Sequence, residues 1–293
     1  MADSGNGVKS VRSLNLMGMR HRDVNVFDIV NRMGYFMEFP LSVSIITLNE
    51  EHNLERCLRS VADLASEIVV VDSGSSDATE AIAKRYGARF FSNPWPGNVA
   101  QNQFSFNRCE QPWVLSIDAD EALSAALCDS IRQVMAAPPD DCDGWLINRR
   151  TRYLGRWISH IWYPEWRLRL VRRESSKWVG PDPHGHIEVS GPVCKLNGDL
   201  LHYTYRDLDD QFAKLASYAQ TTSSGKYSKG VRMSPVKLLF SPWLRFFRDM
   251  ILKSAWRDGY RGIMIAYAGA FSSFMKQAYL YELECRERET DHE

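Results

Sequence analysis

The sequence predicts an α/β fold, with a doubly wound, mostly parallel sheet and a C-terminal helical extension. Short runs rich in β-branched residues, at 43–48, 68–71 and 113–117, have the pattern of buried parallel strands. Helical patterns alternate with these runs, which is typical of doubly wound sheets. From residue 206 onward, the pattern is mainly helical.

Turn and capping residues support this order of elements. Asn53 stands where a helix N-cap is expected, and Asp77 with Glu80 resembles a capping box for a helix that ends at Gly87. Strands are predicted at 41–48, 67–71, 88–92, 113–117, 144–148 and 166–171, and helices at 54–64, 77–86, 98–109, 124–135 and 208–228. The stretch 235–284 is predicted to be mostly helical.

Composition excludes several classes of protein. Acidic and basic residues balance at 36 each, so no global positive field favours nucleic acid, and we expect no nucleic-acid partner. The six cysteines show no C-x-x-C spacing and no disulfide framework is required, so we expect a reducing cytosol. The longest uncharged run near the C-terminus, 262–275, is shorter than the roughly 20 residues that span a bilayer.

Two carboxylates, Asp118 and Asp120, follow the predicted strand at 113–117. Side chains one residue apart at a strand end can share a Mg²⁺ or Mn²⁺ ion that also binds a diphosphate. The alternative is a solvated turn or a helix cap, since Glu121 and Ser124 follow.

Polar side chains also end the first two strands. Asp72 follows three valines and precedes a Ser-Gly-Ser-Ser turn, while Thr47, Asn49 and Glu50 end the first strand. These side chains can accept hydrogen bonds from a ribose hydroxyl or a base N–H. The alternative is that they only form turns. Neither the G-x-G-x-x-G nor the P-loop pattern is present, which argues against dinucleotide dehydrogenases and P-loop enzymes. We therefore expect a sugar-nucleotide site at this edge.

Three segments in this order resemble the family 2 inverting glycosyltransferases with the GT-A fold: Thr-Leu-Asn-Glu at 47–50, Val-Val-Asp-Ser-Gly-Ser-Ser-Asp-Ala-Thr at 70–79 and Ile-Asp-Ala-Asp-Glu at 117–121. The segments at 163–172, 178–186 and 201–205 are similar to the lipopolysaccharide inner-core glucosyltransferase branch. The resemblance covers about residues 40–285.

The resemblance implies a UDP-sugar donor, a Mg²⁺ or Mn²⁺ cofactor and a role for each matching residue. Uridine or donor contacts are implied for Thr47, Asn49, Glu50, Asp72, Ser73 and Asp118, and metal contacts for Asp120 and Asp118, with His186 as a local candidate.

Inversion needs a base that takes a proton from the acceptor hydroxyl. The resemblance implies a Glu after a His, but this chain has His184-Gly185. We predict Asp182 as the base, with Glu188 second. His184 and His186 are candidates for metal or diphosphate contacts, and a purely structural turn is the alternative for this loop.

Between residues 237 and 253, an apolar, aromatic face lies beside Lys237, Arg245, Arg248 and Lys253. This pattern fits an interfacial helix on an anionic membrane leaflet. Packing on the catalytic domain, or a homodimer, is the alternative.

The predicted function is metal-dependent transfer of a hexose, with glucose favoured, from a UDP-sugar to a hydroxyl of a lipid-linked saccharide such as lipopolysaccharide core. We expect a cytoplasmic protein, peripheral on the inner face of the cytoplasmic membrane. The alternatives are a nucleotidyltransferase and a non-catalytic sugar-nucleotide-binding protein.

The predicted regions are a partly disordered lead-in at 1–38, a catalytic domain at 39–205 with a nucleotide half (39–122) and an acceptor half (123–205), and the helical extension at 206–293.

Overall fold

A mixed nine-stranded sheet organises the part of the chain that the computed structural model describes, residues 39–182 and 185–290. The predicted lead-in at 1–38 and His184 lie outside the described residues. The strands are β1 (Phe39–Thr47), β2 (Ala65–Asp72), β3 (Arg89–Ser92), β4 (Trp113–Asp118), β5 (Glu121–Leu123), β6 (Gly144–Tyr153), β7 (Arg156–Trp157), β8 (Glu165–Arg172), β9 (Ser176–Val179), β10 (His186–Val189) and β11 (Val193–His202).

Helices follow most strands of the first half and make up the C-terminal region. They are α1 (Leu54–Val61), α2 (Thr79–Arg85), α3 (Asn98–Arg108), α4 (Ala125–Ala136), α5 (Leu208–Tyr227), α6 (Pro235–Phe247) and α7 (Tyr260–Thr290). A π-helical turn (Arg248–Leu252) and a 3₁₀ turn (Ala255–Asp258) join α6 to α7.

The strand order is β3-β2-β1-β4-β8-β6-β11-β5, with β7 on β6 and a separate β9-β10 hairpin. The strands β3, β2, β1 and β4 are parallel, as predicted, whereas β8 runs antiparallel to both β4 and β6. Thr47 is in register with Asp72, and Ile46 with Asp118. The polar ends of these strands therefore lie along one edge of the sheet.

The continuous apolar runs are buried on both faces. Val69 and Val71 belong to a cluster with Phe106 of α3, and Ile187 of β10 joins it. Val70, between them, is also fully buried, because side chains alternate across a strand and both faces of this sheet are covered.

The helical extension shares a core with the second half of the sheet. Tyr153, at the end of β6, clusters with Ile158, Ile265 and Ala266. Its hydroxyl donates to Gln211 Oε1 of α5 over 2.7 Å. The extension is thus packed directly against the sheet. None of the described helices has the length and apolarity that a membrane crossing requires.

Several local predictions differ from the structure. Asn53 is at the N-cap of α1, but its side chain donates to Glu50 instead of capping. Helix α2 begins at Thr79, after Ala78 as N-cap, although Asp77 Oδ1 still accepts from the Thr79 amide over 3.0 Å. The cysteine spacing required no disulfide framework and favoured a reducing cytosol, whereas the structure pairs Cys142 with Cys194 near the starts of β6 and β11.

Candidate active site

A cluster of charged side chains, buried or partly buried, lies at the end of β4. Arg169, on the neighbouring β8, donates through Nη2 to Asp118 Oδ2 over 2.9 Å and to Glu121 Oε1 over 3.0 Å. The Asp118 amide donates to Glu121 Oε2 over 2.9 Å. Arg149 of β6 approaches Glu121 at 3.5 Å. Because β8 runs antiparallel to β4, it brings a long basic side chain beside the acids at the strand end.

The charges of this cluster depend on one another. Burial raises the pKa of Glu121, and Arg169 opposes that rise only partly. Burial also disfavours the charge on Arg169, but Glu121 and Asp118 outweigh it and raise the pKa of the guanidinium. Arg169 therefore remains a cation that orients Asp118, whose side chain is 37% exposed and accessible to a ligand.

Asp120 faces a histidine that the sequence analysis did not select. His202, the last residue of β11, places Nε2 3.4 Å from Asp120 Oδ2. Its Nδ1 lies 2.7 Å from Thr204 Oγ1 and 3.2 Å from Thr151 Oγ1. Burial would raise the pKa of Asp120, but the charge and hydrogen bond of His202, together with the charges of Lys214 and Arg149, outweigh burial and lower it. The carboxylate form of Asp120 is thus favoured.

Asp72 organises the turn after β2. Its two carboxylate oxygens accept from Thr47 Oγ1 at 2.9 Å, the Gly74 amide at 2.8 Å, the Ser75 amide at 2.7 Å and Ser75 Oγ at 2.5 Å. Burial alone would raise the pKa of Asp72, but these hydrogen bonds lower it. A carboxylate has about four acceptor positions, so Asp72 is already saturated. Its predicted contact with uridine stays a prediction.

The other predicted donor residues lie on adjoining loops. Asn49 Oδ1 accepts from the Ser76 amide over 2.9 Å, which joins the loops after β1 and β2. Ser73 Oγ accepts from Gln101 Nε2 of α3 over 3.0 Å. Burial, together with the charges of Asp120 and Asp118, raises the pKa of Glu50. The structure thus places Glu50 on the side of the acid cluster, and Asn49 and Ser73 nearer the Asp72 turn.

Asp182 lies at the start of α3, where Oδ1 accepts from the Val99 amide over 2.9 Å. A Cβ on Gly97 would meet Asp182 Oδ2 at 2.1 Å, so this approach requires glycine at position 97. A Cβ on Gly185 would meet Val99 Cγ2 at 2.5 Å. A side chain at position 185, where the resemblance implies a glutamate, would therefore require Val99 to shift.

The other two predicted site residues lie on the β9-β10 hairpin. Glu188 is exposed and pairs with Lys177 across the hairpin at 3.5 Å. His186 is also exposed. In the described part of the chain, the histidine beside Asp120 is His202, not His186. The roles predicted for Glu188 and His186 stay predictions that these contacts do not support.

A cavity of about 760 Å³ adjoins the acid cluster. His202 and Arg149, which contact Asp120 and Glu121, are part of its wall. Another part of the wall comes from α5, α6 and α7 and the turns between α6 and α7. Aromatic side chains in the lining, which can stack on sugar rings, are Trp162, Tyr163, Tyr205 and Tyr218. The cavity can thus hold a molecule next to the carboxylates.

The side chains at this site fit a divalent cation that takes its remaining ligands from a bound molecule. Asp120 and His202 offer an oxygen and a nitrogen from adjacent strand ends, and Asp118 is partly exposed nearby. Within residues 39–182 and 185–290, no group of three or more acidic, His or Cys side chains forms a full metal site. Mg²⁺ commonly has such incomplete protein shells, because it keeps waters and substrate phosphates.

Comparison with solved structures finds proteins of low sequence identity. Glucosyl-3-phosphoglycerate synthase from Mycobacterium tuberculosis, in complex with phosphoglyceric acid, is 19% identical, with 73% of this chain and 88% of that chain covered and a TM-score of 0.45. TarS 1–349 of S. aureus, in complex with UDP-GlcNAc, is 23% identical over 44% of this chain and 39% of its own, with a TM-score of 0.35.

Curated relatives match along most of their length. A lipopolysaccharide core biosynthesis glycosyltransferase, LpsC of Rhizobium meliloti (strain 1021), is 35% identical over 253 residues, 84% of this chain and 93% of LpsC. An uncharacterized glycosyltransferase of Rickettsia typhi is 29% identical over 85% of this chain and 89% of its own.

The family model described as glycosyl transferase family 2 matches residues 42–188, which include the strand ends, the acid cluster and the β9-β10 hairpin. The predicted α/β class, with its GT-A-type sheet and its C-terminal helical extension, is confirmed. From this match and the similarity to LpsC, we conclude that the chain belongs to glycosyl transferase family 2.

Proposed function

We propose that the protein transfers a hexose, with glucose favoured, from a UDP-sugar to a hydroxyl of a lipid-linked saccharide such as lipopolysaccharide core, with inversion. The name of LpsC supports the class of acceptor. The observation that carries the proposal is the placement of Asp118, Asp120 and His202 at the edge where the parallel strands end, beside a cavity that can hold an acceptor.

Asp120 and His202, with Asp118, would hold Mg²⁺ or Mn²⁺ together with the donor diphosphate. When bound, such an ion acts as a Lewis acid and stabilises the charge of the leaving diphosphate. The chain itself orients these ligands: Arg169 positions Asp118, and the Thr151 hydroxyl contacts Nδ1 of His202. The Thr204 hydroxyl lies within 3.0 Å of both ring nitrogens of His202. Outer contacts of this kind usually fix the orientation of a histidine ligand.

The uridine would bind along the loops after β1 and β2. Thr47, Asn49, Glu50 and Ser73 are the proposed contacts, and the amide donors held in place by Asp72 shape the turn between them. The cavity lining, which begins at Arg149, supports the proposed division into a nucleotide half and an acceptor half.

Asp182 is the proposed base, because it lies at the start of α3, near the strand end that carries Ser73. We expect Asp182→Asn to lower kcat about 100-fold or more, as loss of a general base does. Glu188→Gln is the matched variant, and its exposed ion pair with Lys177 predicts unchanged kcat. If the two variants behave in the reverse way, Glu188 is the base.

The experiment that tests the function is UDP release from UDP-glucose in the presence of Mn²⁺, with and without chelator. We expect Asp120→Asn to abolish the metal-dependent release and Asp63→Asn, at an exposed position, to retain it. Full release by Asp120→Asn in the presence of chelator would contradict the proposal. Pyrophosphate release from UTP and a sugar phosphate would indicate a nucleotidyltransferase, and UDP binding without turnover a binding protein.

We also propose a cytoplasmic location, peripheral on the inner face of the cytoplasmic membrane, where nucleotide sugars and a lipid-linked acceptor meet. The alternative is that the C-terminal region forms a homodimer. Fractionation of cells, followed by a salt wash of the membranes, tests this location, because a peripheral protein held by charge is released by salt.

A further inference from the structure

The surface formed by residues 235–261, here called the docking surface, exposes an unusual number of large apolar side chains. Helix α6 buries none of its residues completely in this chain. Leu244 is 70% exposed and Leu252 is 79% exposed. The exposed apolar side chains are Val236, Leu239, Phe240, Trp243, Leu244, Phe247, Ile251, Leu252, Trp256 and Tyr260. An exposed patch of this kind marks an interaction site.

The exposed charges of the docking surface are all positive. Lys237, Arg248, Lys253 and Arg257 are exposed. The surface has two acids, and both are hidden. The side chain of Asp249 is 2% exposed and pairs with Arg245 and Arg248, and that of Asp258 is 6% exposed and faces His160. A partner therefore meets apolar groups and cations without a competing anion.

This charge pattern favours an anionic bilayer over a second copy of the chain. In a two-fold dimer, the same patch faces itself, so the four exposed cations would approach like charges. An anionic lipid surface accepts the cations at its headgroups and the apolar side chains at the acyl boundary.

The docking surface and the cavity beside the acid cluster share residues. Leu252, Lys253 and Ser254 line the cavity, and Arg245 of α6 also contributes to its wall. Leu252 is at the same time among the most exposed side chains of the surface. The rim of the cavity therefore belongs to the surface that would contact lipid.

We infer that residues 235–261 bind the surface of an anionic bilayer and thereby place the cavity rim against it, so that an acceptor can enter while its lipid remains in the membrane. The bilayer contact deepens the proposed peripheral location and does not depend on the proposed transfer reaction, whereas the delivery of an acceptor rests on that reaction.

Sedimentation with lipid vesicles tests the contact. We expect the full chain to bind vesicles of phosphatidylcholine mixed with phosphatidylglycerol and to bind pure phosphatidylcholine more weakly. The double variant Trp243→Glu/Leu244→Glu should lose about tenfold or more of this binding, because it places anions in the apolar contact. Val193→Glu, the same kind of change at an exposed apolar residue of β11, should bind like the unmodified chain.

Light scattering of the same samples shows whether a second copy of the chain, instead of a bilayer, covers the docking surface. A dimer that the double variant dissociates, without vesicle binding by the unmodified chain, would overturn the inference. Equal vesicle binding by the double variant and the unmodified chain would also overturn it. UDP release from UDP-glucose should persist in the double variant, and loss of that release in every form of the protein would refute the proposed function while leaving the bilayer contact intact.

The position of the cavity rim needs its own measurement. Leu252→Cys and Val193→Cys, each labelled with an environment-sensitive fluorophore in a Cys128→Ser/Cys285→Ser background, report the polarity at the rim and at a distant control site. On addition of anionic vesicles, we expect the emission at residue 252 to shift to shorter wavelength and that at residue 193 to remain unchanged. Vesicle binding without a shift at residue 252 would refute the delivery of an anchored acceptor.

Discussion

At the scale of single residues, Arg169 determines the geometry of the acid cluster. One nitrogen of its guanidinium binds both Asp118 and Glu121, and Glu121 has no exposed side-chain surface. An acid in that position remains charged only while a cation is beside it. Arg169 thus positions Asp118, and under the proposed function it acts on the reaction only through that carboxylate.

We predict that Arg169→Met lowers the free energy of unfolding by about 3–5 kcal/mol, because it removes the nearer cation from the buried Glu121 and leaves only Arg149 at 3.5 Å. The variant should also raise the Mn²⁺ concentration needed for half-maximal UDP release, since Asp118 loses its orientation. Urea unfolding and a Mn²⁺ titration measure the two effects. Arg167→Met, at a 50% exposed side chain on the same strand, should change stability by about 1 kcal/mol or less.

At the scale of elements, the 3₁₀ turn before α7 is joined to the segment after β7 through one carboxylate. Asp258 accepts from the amides of Ser159 at 3.0 Å, His160 at 3.1 Å and Ile161 at 3.0 Å, and lies 3.0 Å from His160 Nδ1. Burial would raise the pKa of Asp258, but these hydrogen bonds and His160 lower it. The ionised form therefore stabilises the folded state.

We predict that Asp258→Asn costs about 2 kcal/mol of unfolding free energy at neutral pH, since an amide oxygen cannot satisfy three amide donors. A lowered pKa gives stability that is present above the unfolded carboxyl pKa, about 4, and lost as the pH falls through the folded value. The difference between variant and unmodified chain should therefore shrink below about pH 4. Urea titrations at several pH values measure it. An unchanged difference at acidic pH, or an equal loss in Asp141→Asn at an exposed site, would contradict this account.

The first half of the fold was predictable because its signals are local. The apolar runs before Thr47, Asp72 and Asp118 end where the strands end, and Ser124 caps α4 by accepting from the Leu127 amide. The three-residue strand β5 was not predicted, because its first residue, Glu121, belongs to an acidic segment that is typical of a turn. Its strand partner in the sheet, His202, is distant in the sequence.

The part of the site that depends on distant residues could not be predicted in the same way. His202 is 82 positions after Asp120, and only the Leu-His-Tyr-Thr-Tyr segment at 201–205 marked it. Asp118 and Asp120 were selected because carboxylates at a strand end are visible in the sequence. The obstruction at Gly185 depends on Val99, which a different element supplies.

At the scale of the whole molecule, the sheet and the helical extension share one interior. Tyr153 and Ile158 of the sheet side pack with Ala255, Ile265 and Ala266 of the extension. The extension is thus required for the burial of the sheet residues that it covers. We expect the two parts to unfold together.

We predict that Ile265→Ala, at a 3% exposed position, lowers the free energy of unfolding by about 3 kcal/mol through the cavity it creates. Near-ultraviolet and far-ultraviolet circular dichroism should report the same shifted transition, because both parts depend on this cluster. Leu239→Ala, at a 64% exposed residue of α6, should stay within about 0.5 kcal/mol of the unmodified chain. Two separate transitions in Ile265→Ala would show that the extension unfolds independently.

The cavity wall has a consequence for how such a protein can diversify. Every residue that lines it lies at position 149 or later, whereas the carboxylates at the ends of β2 and β4 come from positions 72 to 120. With the cavity as the proposed acceptor site, mutations in the later half can reshape what is glycosylated while the earlier half keeps the proposed donor site. A lineage can in this way evolve a new product without first rebuilding its chemistry.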